Sequence, residues 1–195
     1  MAGLSRAESR GRHVALIRGI NVGRAKRVEM ADLRDLVATL GYVDVSTLLN
    51  SGNILFTIPR GFGAGAAGRI ERALLASLAI AARVVVLSAA DVAAIARDNS
   101  LGAVARYPSR LMVTVMTDSA DRPKLMPLSR QKWAPEALAV GSRAAYLWCP
   151  DGIIKSPLFS AVSKVLGDRM TSRNWTTMTK LHALAEAPSW DPASE

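Results

Sequence analysis

Four consecutive apolar residues, Val14-Ala15-Leu16-Ile17, run directly into Arg18-Gly19-Ile20-Asn21-Val22-Gly23-Arg24-Ala25-Lys26-Arg27. A strand with no polar face belongs in a sheet covered on both sides. The segment after it is basic and carries two glycines, so it cannot continue into the core. A buried strand that empties into a charged, glycine-containing loop constrains both the fold and the place where polar chemistry can gather.

Periodicity supplies the partners of that strand, which is expected over residues 13–18. Met30, Leu33, Val37 and Leu40 fall on one face of a helix over residues 30–40, with Asp32 and Asp35 early and Gly41 as its stop. Val43, Val45, Thr47 and Leu49 alternate as a strand. Asn50-Ser51-Gly52 signals a turn, and Ile54, Phe56 and Ile58 alternate on the way back, which makes a hairpin. Ile70, Leu74, Leu78 and Ala81 predict a second helix over residues 69–81, and residues 83–87 read as a fourth strand with no polar face. Strand, helix, strand, strand, helix, strand is the order of the ferredoxin-like split unit, whose antiparallel sheet has its first and third strands side by side in the centre. In that topology the first strand leaves the sheet where the hairpin turns. Residues 18–27 are therefore expected to meet residues 50–53 beside the start of the first helix.

Ser88 is expected to cap a third helix with Asp91 as its reciprocal partner, Val92 and Ile95 inward, and Asn99 at its end. Residues 101–108 are irregular and read as a boundary. A strand follows over 111–116. A helical stretch over 121–131 is expected to be broken by Pro123 and Pro127. Strands over 137–140 and 144–148 flank Gly141-Ser142, and helices follow over 158–166 and 175–185. The second half thus repeats strand, helix, hairpin, helix, but closes on a helix where the first half closes on a strand. The fold class is α+β: a disordered basic tail over residues 1–12, a ferredoxin-like split βαββαβ subdomain over 13–100, and a smaller α+β subdomain with C-terminal helices over 101–195. Helices cover only one face of a split unit, so the other face must be covered by the second subdomain or by another chain.

The formal charge of +9 invites an anionic partner. The excess is spread along the chain without a dense block, which predicts a generally basic surface rather than a dedicated nucleic-acid face. No apolar run is long enough to span a bilayer, so no membrane partner is expected. The single Cys149 cannot form an internal disulfide and no cysteine cluster exists for zinc, which places the chain in a reduced, cytoplasmic setting.

Polar chemistry concentrates at the loop. Gly19 and Gly23 let the backbone turn and present N–H groups, and the following helix start adds partial positive charge. Arg18, Asn21, Lys26 and Arg27 can close on an anion there, with Asn50 and Asn53 from the hairpin turn beside them, although Asn and Gly also serve such turns for backbone reasons. Thr171-Ser172-Arg173-Asn174-Trp175 offers a second anion contact through Arg173 and Asn174, and reads equally as a helix cap followed by a core tryptophan. The ligand class is an anionic small molecule or nucleotide. Gly63-Ala64-Gly65-Ala66-Ala67-Gly68 matches a dinucleotide fingerprint in letters, but it follows a hairpin strand and lacks the acidic residue at the required distance, so it is a linker. His13, His182, Cys149, Asp151 and Asp168 have no spacing that pairs them for catalysis or metal binding. Base stacking on the central strands needs exposed aromatics, and those strands offer only Phe56. The alternatives to an anion-binding protein are a basic nucleic-acid-binding protein and an interaction module without a ligand. No cofactor, catalytic residue or oligomeric state is readable.

Four segments together resemble DUF1697, a bacterial family of unknown function: Ala15-Leu16-Ile17-Arg18-Gly19-Ile20-Asn21-Val22-Gly23, Met30-Ala31-Asp32-Leu33-Arg34, Asn50-Ser51-Gly52-Asn53-Ile54-Leu55-Phe56 and Thr171-Ser172-Arg173-Asn174-Trp175-Thr176-Thr177. Three positions depart from the pattern of that family. Glu29 stands where proline is usual, Ser156-Pro157 where a lysine commonly follows the serine, and Thr176 where asparagine is usual. The resemblance implies a two-subdomain α+β fold and no activity.

Overall fold

The structure is a computed structural model that describes residues 10–21, 27–59, 62 and 64–187. It is an α+β protein with two four-stranded antiparallel sheets and six α-helices among the described residues. The chain divides into two compact units, one built from Met1–Ala89 with Ala183–Glu195 and the other from Ala90–His182.

In the first unit the elements are β1 (Arg10–Ile17), α1 (Met30–Thr39), β2 (Val43–Leu48), β3 (Asn53–Ile58), α2 (Ala66–Leu78) and β4 (Val84–Ser88). The sheet order is β2-β3-β1-β4, with β1 beside β3 in the centre. Alternation decides which side chain goes where. Ala15, Ile17, Ile54, Phe56 and Val84 form one face and pack with Leu33 and Val37 of α1 and Ile70 and Leu74 of α2. On the opposite face Val14, Leu16, Leu55 and Leu87 are equally withdrawn from solvent. An uninterrupted apolar β1 therefore matches a sheet buried on both sides. Arg12, in the same strand, donates from Nη1 to the carbonyl of Leu184 at 2.8 Å.

Two local expectations need correction here. β1 begins at Arg10, inside the segment read as a tail, and residues 1–9 lie outside the described residues. Helix α2 begins at Ala66, so the second half of the Ala/Gly-rich stretch read as a linker is its first turn. Gly65 stands before it at φ 94°, and Ala66 is buried.

The second unit contains α3 (Ala89–Arg97), β5 (Leu111–Met116), α4 (Arg122–Ser129), β6 (Ala137–Val140), β7 (Ala144–Trp148), α5 (Pro157–Leu166), β8 (Met170–Asn174) and the greater part of α6 (Trp175–Glu186). Its sheet order is β6-β7-β5-β8. One face carries Met116, Ala145 and Leu147 against Leu125 of α4 and Leu158, Val162 and Leu166 of α5. Tyr146, on the other face, donates its hydroxyl to the carbonyl of Ile95 at 2.6 Å and so ties β7 to α3. This bond explains why α3 groups with the second unit, although the irregular residues expected to form the boundary come after it.

Strand β8 corrects the reading of the second half. Met170–Asn174 contains four polar residues in five and shows no apolar alternation, yet it pairs along β5 from Met112↔Asn174 to Met116↔Met170. The second half therefore also closes on a strand before its last helix. Both units share the order strand, helix, hairpin, helix, strand and the same sheet order, which makes the chain an internal structural repeat. Helix α4 is a second correction: it runs unbroken through both prolines. Pro123 stands in the first turn, where a missing N–H is harmless, and Pro127 removes only one bond of a two-turn helix.

Candidate functional site

Strand β1 hands over to the loop through two backbone bonds. Ile17 N–H donates to Gly52 at 2.9 Å and Arg18 N–H donates to Arg83 at 2.8 Å. The chain then reverses through left-handed residues, Gly19 at φ 68° and Asn21 at φ 55°. Asparagine tolerates that region better than other side chains because its amide can bond locally. Here the amide is fully used. Asn21 Nδ2 donates to the carbonyl of Val28 at 3.0 Å and to the carbonyl of Asn50 at 2.8 Å, while Val28 N–H donates to Asn21 Oδ1 at 2.8 Å. One side chain thus closes the mouth of the loop and joins it to the hairpin turn.

The turn is built for that approach. Gly52 adopts φ 72°, and a Cβ there would stand 2.7 Å from Cδ1 of Ile20 and 3.0 Å from Cβ of Ile17. Asn53 is completely buried and donates from Nδ2 to the carbonyl of Leu48 and to Ser51 Oγ, both at 2.9 Å. Its amide therefore braces the hairpin from within.

Beside this junction lies a half-open cleft of about 390 Å³, lined by Asn21, Arg27, Val28, Glu29, Met30, Ala31 and Asn50. It opens onto the start of α1, whose first-turn N–H groups have no acceptor within the helix. Glu29 occupies the N-cap position in an extended conformation, and its side chain takes none of those hydrogens. Helix start and Arg27 bring positive potential; Glu29 and Asp32, both exposed, bring carboxylates to the same end. The cleft suits a ligand with an anionic group and a hydrogen-bond donor better than a bare anion.

Of the candidate residues, Asn21 and Asn50 line the cleft, Arg18 sits half-buried at the end of β1, and Asn53 is sealed beneath the turn. Lys26 lies outside the described residues. Arg173 and Asn174 belong to the second unit. Arg173 projects from β8, 8% exposed, and donates from Nη1 to Thr171 Oγ1 at 3.0 Å and to the carbonyl of Ser172 at 2.9 Å. Burial lowers its pKa to about 10, which leaves the guanidinium charged at neutral pH. Asn174 accepts the Thr177 N–H at 2.9 Å and caps α6. Glu29, Met30 and Ala31 enter the lining through the exact start of α1, which periodicity locates only to within a residue or two.

Among the described residues, no three His, Cys, Asp or Glu side chains converge as a metal site. Cys149 is fully buried with its thiol against Ser156 Oγ at 3.4 Å, and burial raises its pKa. Phe56 is also fully buried and stacks on His13 at 6.0 Å between ring centroids, so it offers no surface to a nucleic-acid base.

The family model described as "Protein of unknown function (DUF1697)" matches residues 11–146, which is most of the chain. The chain belongs to the DUF1697 family. A solved structure of a conserved bacterial protein from Streptococcus pneumoniae is similar to it at 24% identity, covering 90% of this chain and 98% of that one with a TM-score of 0.69. Identity at that level speaks for a common fold. No curated protein matches the chain. No helix among the described residues is long and apolar enough to cross a membrane.

Proposed function

We propose that this DUF1697 protein binds a small anionic molecule, such as a nucleotide or another phosphate compound, in the cleft at the start of α1. The observation that carries this reading is the Asn21–Asn50 bond, which joins the strand-end loop to the hairpin turn next to open helix N–H groups. In this reading the N–H groups of Met30 and Ala31 and the Arg27 guanidinium take the phosphate, with Arg18 and Lys26 closing from the loop. The Glu29 carboxylate accepts a ligand hydroxyl, and the side chains of Asn21 and Asn50 shape the wall. Arg173 and Asn174 are left out, because their polar atoms already serve β8 and α6. Each unit reads as a ferredoxin-like split fold, and the reduced setting implied by a lone buried Cys149 fits a cytoplasmic protein.

A thermal-shift screen with inorganic phosphate, pyrophosphate, nucleoside monophosphates and nucleoside triphosphates tests it. A ligand at about a hundred times its dissociation constant stabilises by about 2.7 kcal/mol, a readily measured rise in Tm. Arg27→Ala is expected to weaken binding about tenfold while leaving the unliganded Tm unchanged. No shift with any phosphate compound sinks the proposal.

A second reading, nucleic-acid binding, rests on the +9 charge alone. It requires affinity that falls steeply with salt in proportion to the phosphates contacted.

A further inference from the structure

Where β5 begins and β7 ends, the second unit carries Ile154, 98% exposed and the most exposed large apolar side chain among the described residues. A single exposed aliphatic residue is ordinary. One held out completely, on a well-anchored turn and beside further apolar and basic groups, is not. Ile153–Lys155 is a short 3-10 turn anchored at both ends. Gly152 N–H donates to Cys149 at 2.9 Å, and buried Ser156 accepts the Phe159 N–H at 2.8 Å to cap α5. A second 3-10 turn, Pro108–Arg110, comes alongside. Arg110 N–H donates to Tyr107 at 2.8 Å, and Cys149 N–H donates to Arg110 at 3.1 Å. The Arg110 guanidinium lies so close over Gly152 that a Cβ there would strike it. Tyr107, 66% exposed, stands beside these residues.

The charge around this tip is predominantly positive. Arg106, Arg110 and Lys155 are all exposed, and Asp151 is the one acid in residues 101–110 and 149–157. We propose that the tip docks the protein on an anionic lipid surface, with Ile154 and Tyr107 entering the headgroup layer and the three cations pairing with lipid phosphates. An apolar point ringed by cations needs no shaped pocket on its partner, which a fully projecting isoleucine would demand of a protein. Tyrosine favours the same layer, with its ring in the apolar zone and its hydroxyl in water. Basic residues near an anionic leaflet add attraction that salt screens. The absence of an apolar run long enough to span a bilayer set membranes aside on sequence alone, but peripheral docking needs no such run. The proposal is independent of the cleft at α1.

Co-sedimentation of the whole protein with vesicles tests it, using phosphatidylcholine alone and phosphatidylcholine mixed with phosphatidylglycerol. Binding is expected to the mixed vesicles only and to weaken as salt rises. Ile154→Ser is expected to lower the partition coefficient about tenfold. Its Tm should match that of the wild type, because the side chain touches little in the fold. Lys155→Glu should weaken binding further. Diffuse attraction to a +9 protein would leave Ile154→Ser binding as well as wild type, and that result overturns the proposal, as does absence of binding at low salt. Self-association in sedimentation velocity that Ile154→Ser abolishes, without vesicle binding, would assign the tip to a second copy of the chain and equally overturn it.

Discussion

Asn21 Nδ2 lies 2.8 Å from the carbonyl oxygen of Asn50, across 29 positions of sequence. The same side chain bonds both backbone groups of Val28 that face it, so a single amide holds loop, turn and helix entry together. The second unit makes an analogous link with different chemistry. Arg122 Nε donates to the carbonyl of Gly141 at 3.1 Å, joining the residue that opens α4 to the turn between β6 and β7. Two copies of one topology thus fasten the same kind of junction with unrelated side chains.

Removing the first link should be costly. Asn21→Ala loses three hydrogen bonds and the residue best suited to φ 55°, and is expected to destabilise by about 2–4 kcal/mol. Asn21→Gly keeps the conformation while losing the bonds, and should cost about 1 kcal/mol less. Urea denaturation of the two variants separates backbone strain from hydrogen bonding. Equal losses would show that the left-handed conformation carries no strain.

Gly52→Ala tests the close approach beneath the turn. The added methyl would meet both Ile20 and Ile17 at a positive φ, so the expected loss is about 2–4 kcal/mol. The Asn21 clamp sits directly above, so binding at the cleft should weaken together with stability. A variant as stable as wild type would mean that β1 and the hairpin are not held at the observed separation.

Tyr146→Phe isolates one bond in the second unit. The ring stays and the hydroxyl goes, leaving the buried Ile95 carbonyl without this donor. A loss of about 1–2 kcal/mol in chemical denaturation is expected. No change would show that the 2.6 Å contact adds nothing to the docking of α3.

The β6–β7 turn should make stability depend on acid. Ser142 Oγ donates to Asp98 Oδ2 at 2.6 Å and its N–H donates at 2.9 Å. The hydroxyl bond first and the backbone bond second hold the Asp98 carboxyl below the usual aspartate value. A folded pKa below the unfolded one gives stability that is complete above the unfolded value and is lost as pH falls through the folded one. The carboxylate is mostly solvated, so the contribution is expected to stay below about 1 kcal/mol. The stability gap between wild type and Ser142→Ala should be constant well above the usual aspartate value and close as pH falls below it. A gap that persists in strong acid would assign the effect to the hydroxyl's other contacts.

Local pattern was informative wherever one residue type marked one environment. Val14 to Ile17 had to be buried on both sides, and they are. Strands β5, β6 and β7 carry enough apolar residues between turn signals to be bounded from sequence. Strand β8 was invisible for the opposite reason. Thr171 and Arg173 are buried polar residues whose partners, such as the hydroxyl of one for the guanidinium of the other, exist only once the strand is in place. The candidate site divides in the same way. That the loop and the turn share one end of the sheet followed from element order. That Asn53 is sealed while Asn50 reaches the cleft did not follow, because alternation assigns faces and says nothing of what lies above each face.

The chain alone determined most of its elements, its class and the meeting of residues near 21 with residues near 50, since periodicity and turn chemistry are local and the order of elements leaves few arrangements. Tertiary structure decided the rest: that two halves share one sheet order, that one asparagine is a clamp and another a brace, and that the start of α1 borders an open cleft. Those outcomes depend on hydrogen bonds and close contacts between residues far apart in sequence, whose geometry no local pattern encodes.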